Sequence, residues 1–282
     1  QLSRAMGRFQ KLCLTVLLGF ISSGWFAVTA TAETVHIAVA SNFAAPTKSL
    51  LEAFEAETGH KSIVSLGSSG KFYAQILHGA PFDVFFSADQ AKPAALVAQG
   101  LVIPGSRRTY AIGRLALWSN RENYINGTPS VLEEGEFSKL ALANPRLAPY
   151  GAAAVEVLEA LQLRRSTEHK WVQGENIAQT YQFVSTANAD LGFIALSQVL
   201  SQVRPQGKSK VPPQEGAPDQ STHIFGRGSG WVVPANLHLP IRQDVVLLKR
   251  AGDNPAATAL MTFIHSLAAR KIIESYGYST SS

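Results

Sequence analysis

Two short stretches place small polar side chains where an apolar strand gives way to a helix. The first is Ser41-Asn42, between "VHIAVA" and an amphipathic segment carrying Leu50, Leu51 and Phe54. The second is "LGSSGKF", where Ser68 and Ser69 lead into a segment carrying Phe72, Gln75 and Ile76. Ser and Asn at such points are good helix N-caps. The same points offer free helix-terminal N–H groups and the positive end of a helix dipole, which suit an anion. Either stretch alone leaves both readings open. Two such turns after parallel strands meet at one sheet edge, which strengthens the anion reading. Gly67 and Gly70 let a ligand approach the backbone closely.

Other chemistry finds less support. "LGSSGKF" is not a phosphate-binding loop of the G-x-x-x-x-G-K-[ST] type, and it lacks the G-x-S-x-G of a nucleophile elbow. The seven histidines show no metal-ligand spacing. Asp83 and Asp89 flank "VFFSA" without a partner His, and they read as a strand-end residue and a helix cap. "FGRGSGW" follows no clear strand and reads as a turn. "NGT" at 126–128 matches a glycosylation pattern that often occurs by chance.

These turns need a scaffold. Strand-like runs ("HIAVA", "KSIVSLG", "FDVFFSA") alternate with helix-period segments closed by Gly59, Gly79 and Gly100. The order βαβαβα predicts a doubly wound α/β unit. A second unit follows, with "RLALWSN", "GAAAVEVLEALQL", "IAQTYQFVSTANA" and "LGFIAL". The polar stretch 202–222 reads as a surface excursion. "PAATALMTFIHSLAARKIIESYG" reads as one C-terminal helix ending at Gly277. The final strand and helix need a sheet to pack on, so the chain is expected to return to its first lobe. Segments 114–119 and 244–248 are the expected crossings. The cleft between two lobes is a usual place for a ligand.

The N-terminus reads as a signal peptide. Arg8 and Lys11 precede an apolar stretch, and "ATA" at 30–32 is a small-residue cleavage site, so the mature chain would begin near Glu33. Residues 1–5 read as upstream sequence. About 250 residues remain, enough for one large or two ordinary domains. The single cysteine, Cys13, falls within the signal, so thiol catalysis and disulfides are excluded for the mature chain. Loss of Arg4, Arg8 and Lys11 takes three charges from the formal +5 and leaves +2. No run of Lys and Arg is interleaved with aromatics, so no nucleic-acid partner is expected.

Taken in order, "VASNFAAPTKSLLEAFE", "LGSSGKFYAQILHGAPFDVFFSADQ", "LANPRLAPYGAAAVEVLEAL" and "GENIAQTYQFVSTANADLGFIALSQV" resemble the periplasmic molybdate-binding proteins of ABC importers. The resemblance covers nearly all of the mature chain except 202–222. It implies a type II periplasmic binding protein fold, with two α/β lobes, each a doubly wound, mostly parallel sheet, joined by two crossing strands. Lobe I would take 33–114 and 241–282, and lobe II 115–240. The resemblance implies a tetrahedral oxyanion, molybdate or tungstate, held by neutral donors at Ser41, Asn42, Ser69, Tyr150 and the Ile177 N–H, with Ser68 beside them. Some members use a Tyr where this chain has Ala195. Here Tyr150 is expected to supply that hydroxyl. The implied protein is a periplasmic monomer with no cofactor and no catalytic residue, and its partner is a membrane permease. Three other readings stay open: a receptor for sulfate or phosphate, a secreted hydrolase using Ser69 as nucleophile, and a structural or adhesive secreted protein.

Overall fold

A computed structural model of the chain describes residues 32–203 and 224–280. The stretch read as a signal peptide, apart from Ala32, and nearly all of the stretch read as a surface excursion at 202–222 lie outside the described residues. The chain begins with β1 (Thr34–Ala40), a 3₁₀ turn (Ser41–Phe43), α1 (Ala44–Thr58), β2 (Lys61–Gly67), α2 (Ser69–Leu77), β3 (Val84–Phe86), α3 (Ala91–Ala98) and β4 (Arg108–Gly113). It continues through β5 (Leu115–Ser119), α4 (Ser130–Glu134), β6 (Leu140–Ala143), α5 (Pro149–Ala160), α6 (Arg164–Thr167), β7 (Trp171–Gly174), α7 (Ile177–Ser185), β8 (Leu191–Ala195), α8 (Leu196–Val203) and β9 (Ser229–Val232). It ends with β10 (Ile241–Leu247), α9 (Pro255–Phe263) and α10 (Leu267–Ser275).

Two five-stranded sheets result, with orders β2-β1-β3-β10-β4 and β7-β6-β8-β5-β9. The strands continuously apolar in sequence are those covered on both faces. In β1, Val35, Ile37 and Val39 pack with Leu50, Phe54 and Phe263, while Ala38 turns to Phe72, Ile76 and Leu96. In the second sheet, Leu115 and Leu142 pack with Tyr150 and Val157, while Ala116 and Trp118 pack with Val184 and Val199. Each lobe is therefore an α/β layer structure with its own core.

The sheets are mixed, where the sequence suggests mostly parallel ones. β1 pairs in parallel with β2 and β3, and β6 with β7 and β8. β10 runs antiparallel to β3 and β4, and β5 antiparallel to β8 and β9. Strands that carry the chain between lobes enter against the βα direction. The crossings fall at Arg114 and over 233–240, so the 244–248 segment lies within the first sheet rather than between the lobes. Arg108–Gly113 was not expected as a strand, because its polar start hides a short apolar core. The expected single C-terminal helix is two. Ser266 Oγ accepts the Ala269 N–H at 3.1 Å and starts a new helix where the hydrophobic period runs on.

Asp83, read as a strand-end residue, ties three segments together. It is buried, and accepts the His36 N–H at 2.8 Å, an Arg250 guanidinium N–H at 2.6 Å and Asn254 Nδ2–H at 3.3 Å. Removing one partner of a buried pair strands the others. Asp83→Ala is expected to cost about 3 kcal/mol, the low end for a buried pair because Arg250 is half exposed. A lowered urea midpoint at unchanged slope checks this. A change below about 1 kcal/mol would show the pair to be replaceable by water. Asp89 accepts the Lys92 N–H at 3.1 Å from one residue ahead of Gln90, which holds the N-cap position of α3.

Candidate functional site

Strand register brings the polar turns together. β1 and β2 pair from Thr34↔Lys61 to Ala40↔Gly67, so Ser41 and Ser68 leave the sheet side by side. β3 flanks β1 in parallel, and Ser87-Ala88 reaches the same edge. In the second sheet Ala143 pairs with Gly174, so the segments leading to α5 and α7 also emerge together. A pocket forms where these two edges face each other. From the first lobe it is lined by Ser41, Asn42, Ser68, Ser69 and Ala88, and from the second by Ala148, Tyr150, Asn176 and Ile177. The structure thus gathers Ser41, Asn42, Ser68, Ser69, Tyr150 and Ile177 from four separate turns. No lining residue carries a formal charge. The cavity is about 10 Å³, room for about one water, which excludes a sugar or peptide as it stands.

Each donor has a local cause. The 3₁₀ turn at Ser41–Phe43 starts a helical run whose first N–H groups lack a partner one turn back. Of the two readings open for Ser41 and Asn42, the helix cap is not what they form. The N-cap position of α1 is Phe43, and no side chain bonds there, because the extra turn moves the helix start two residues on. Ser68 is the true cap of α2, accepting the Lys71 N–H at 3.3 Å. Ser69 Oγ accepts the Ala88 N–H at 2.9 Å, which leaves its single proton available to donate.

On the second lobe Pro149 opens α5, so Tyr150 falls in the first turn of that helix. The Tyr150 hydroxyl was expected in the ligand shell. It accepts Gln243 Nε2–H at 3.2 Å and abuts Gly113, where any Cβ would overlap it. Asn176 was absent from the sequence-derived set. It caps α7, its Oδ1 accepting the Ala178 and Gln179 N–H groups at 3.0 and 3.1 Å, and it places Ile177 as the first helical residue. An Asn immediately before an apolar-periodic run is the signal that could have found it. Ala195 N–H goes to Gln198 Oε1 at 2.9 Å, and Ala195 does not line the pocket.

Contacts across the cleft hold the edges together. Gly70 N–H donates to Leu147 O at 2.9 Å, Ser41 Oγ donates to Asn176 Oδ1 at 3.3 Å, and Lys71 pairs with Glu175 at 2.7 Å at the exposed rim. Beneath the pocket, Tyr110, Tyr150 and Tyr278 are fully buried. Burial pushes the phenols of Tyr110 and Tyr150 well up from the ordinary value, and that of Tyr278 to about 12. All three remain neutral at physiological pH. Among the described residues no group of three His, Cys, Asp or Glu could hold a metal ion, and no helix is long and apolar enough to cross a membrane.

Two α/β lobes joined by two crossings, with a small neutral pocket between helix N-termini, define a solute receptor. The chain belongs to the bacterial extracellular solute-binding proteins, whose family model matches residues 35–279. It is 45% identical over 265 residues to the molybdate-binding protein ModA of Azotobacter vinelandii, covering 94% of this chain and 97% of that protein. It is 41% identical to ModA of Rhodobacter capsulatus, covering 90% and 91%. The solved Azotobacter vinelandii periplasmic molybdate-binding protein superposes with a TM-score of 0.78 at 35% identity, covering 88% of this chain and 100% of that one.

Proposed function

We propose that the protein captures molybdate, and tungstate with it, in the inter-lobe pocket and delivers it to the membrane permease of an ABC importer. The observation that carries this is the convergence of uncharged donor-bearing turns from both lobes on one small cavity. In this reading the donors are the Ser69 hydroxyl, the Ser41 hydroxyl once the ion replaces Asn176 Oδ1 as its partner, and first-turn N–H groups at Asn42, Ser69, Tyr150 and Ile177, with Ser68 supporting as cap. Tyr150 contributes its N–H, and its hydroxyl works behind the shell. A dianion taken out of water needs most of its oxygens matched, and each bond to a charged acceptor contributes about 1.5–3 kcal/mol. Helix N-termini add favourable potential without a fixed cation. Size and donor geometry then select the ion. Sulfate, the smaller tetrahedron, cannot reach every donor. Phosphate carries a proton near neutral pH, and a shell of donors offers that proton no acceptor.

The relatives are named as binding proteins, which supports a receptor rather than an enzyme. Ser69 as a hydrolytic nucleophile lacks support, since its partner is the Ala88 N–H and no histidine lines the pocket. The reading places the protein in the periplasm as a monomer, with lobe I at 33–114 and 241–282 and lobe II at 115–240.

Thermal unfolding with each anion in excess tests it. A ligand held only by the native state at a thousand times its Kd adds about 4 kcal/mol of stability. Molybdate and tungstate are expected to raise the midpoint by several degrees, and sulfate and phosphate are not. Ser69→Ala is expected to weaken molybdate binding by about 10- to 100-fold, the loss of one bond to a charged acceptor. A shift with sulfate or phosphate alone would overturn the choice of ion. Unchanged affinity in Ser69→Ala would remove that hydroxyl from the site.

A further inference from the structure

β10 carries a register shift against β4 between Gln243 and Asp244. Bulges of this kind re-aim side chains and occur next to functional sites. Here Asp244 goes to Arg107 and Thr109, while Gln243, fully buried, reaches the junction of the lobes. Its Oε1 accepts Asn42 Nδ2–H at 2.8 Å and the Tyr110 hydroxyl at 2.9 Å, and its Nε2–H goes to the Tyr150 hydroxyl at 3.2 Å. Only one orientation of the amide serves all three, because Asn42 and Tyr110 present donors to the same end. Both amide hydrogens of Asn42 are used, since the second goes to Tyr278 at 3.0 Å, and its backbone carbonyl accepts from Tyr278 at 2.8 Å and Ser197 at 2.9 Å. One side chain on a crossing segment's strand therefore grips a pocket turn of each lobe, Asn42 on the first and Tyr150 on the second. A Cβ on Gly113 would fall 2.6 Å from Gln243 Nε2, so a glycine at the end of β4 makes room for the grip.

We propose that Gln243 is a positioning residue that fixes the distance between the donor sets of the two lobes, and so sets which size of tetrahedral oxyanion the pocket holds. It touches the ligand shell only through Asn42 and Tyr150. The inference rests on the oxyanion reading above. With the amide removed, the two turns are free to settle at other spacings, and the fit to the larger ion degrades more than the looser fit to sulfate.

The test measures molybdate affinity by calorimetry and sulfate affinity by competition on wild type, Gln243→Met, Tyr150→Phe and the double variant. Gln243→Met is expected to weaken molybdate about 10- to 100-fold, the usual effect of removing a partner that orients a ligand shell. The molybdate-to-sulfate ratio narrows at the same time. Tyr150→Phe narrows it in the same direction, and the double variant is no worse than Gln243→Met, since both remove the same link. A merely structural glutamine would lower the melting temperature and leave the ratio alone. If Gln243→Met does not fold, Tyr150→Phe, which loses one hydroxyl, still decides. Folded variants that keep the wild-type ratio within about twofold overturn the inference while wild-type binding keeps the oxyanion reading; a difference that small is under half a kcal/mol. Wild type that binds neither ion overturns both.

Discussion

Gly70→Leu is expected to lower molybdate affinity by about a hundredfold while leaving the unliganded protein folded. Gly70 lies in the first turn of α2, and its N–H meets Leu147 O across the cleft at 2.9 Å. An added Cβ would stand 3.0 Å from both the Leu147 Cα and its carbonyl oxygen, backbone atoms that cannot step aside. The helical backbone at Gly70 suits any residue, so the side chain is no burden until the lobes come together. A larger leucine then holds them apart. Overfilling a packed contact costs about 1–3 kcal/mol, and the upper end corresponds to two decades in affinity. The neighbouring Lys71–Glu175 pair cannot compensate, because exposed pairs contribute little. Calorimetry and unliganded melting measured together check this. Wild-type affinity in Gly70→Leu would show that binding does not need this closed contact.

Alkaline unfolding is expected to be abrupt. Tyr110, Tyr150 and Tyr278 all have phenols raised by burial, Tyr278 to about 12. In the unfolded chain they return to the ordinary value near 10. Raised folded values mean that their share of stability is intact below about pH 10 and disappears as pH climbs through the folded values. Three such groups imply a loss of about 4 kcal/mol per pH unit above 10. Urea midpoints between pH 8 and 11.5 should be level and then fall steeply. Phenolate absorbance from these tyrosines should appear only with unfolding. Gradual ionisation in the folded protein would show that water reaches the junction.

How much of this was legible depended on how local each cause is. Ser41, Ser68 and Ser69 could be read because a strand, two polar residues and an amphipathic helix are contiguous in sequence. Their roles were less legible. Ser68 caps and Ser69 does not, and the cap expected of Ser41-Asn42 is displaced by a 3₁₀ turn, a choice made by how Phe43 packs against Phe86 and Tyr110. Tyr150 and Ile177 came from resemblance, since a tyrosine after proline carries no signal of its own. Gln243, Tyr110 and Tyr278 were invisible. A glutamine in an apolar strand and two aromatics near other elements look like ordinary core until 243, 42, 150 and 278 meet, and that meeting is a property of topology. The same holds for β10. Its apolar run announces a strand, but nothing local says that it runs antiparallel between β3 and β4.

That placement of β10 has a consequence for the order in which the protein can form. The strand between β3 and β4 is among the last to be made. Residues 34–113 contain four of the five strands of their sheet, yet β3 and β4 cannot join until residues 241–247 arrive. A growing or threading chain therefore carries an incomplete first sheet, with Phe85 and Phe86 on an unpaired edge, while all of the second sheet is made. Long-range closure of this kind is slow, and exposed edges invite wrong partners. The topology leaves the first sheet open until nearly the whole chain has been made.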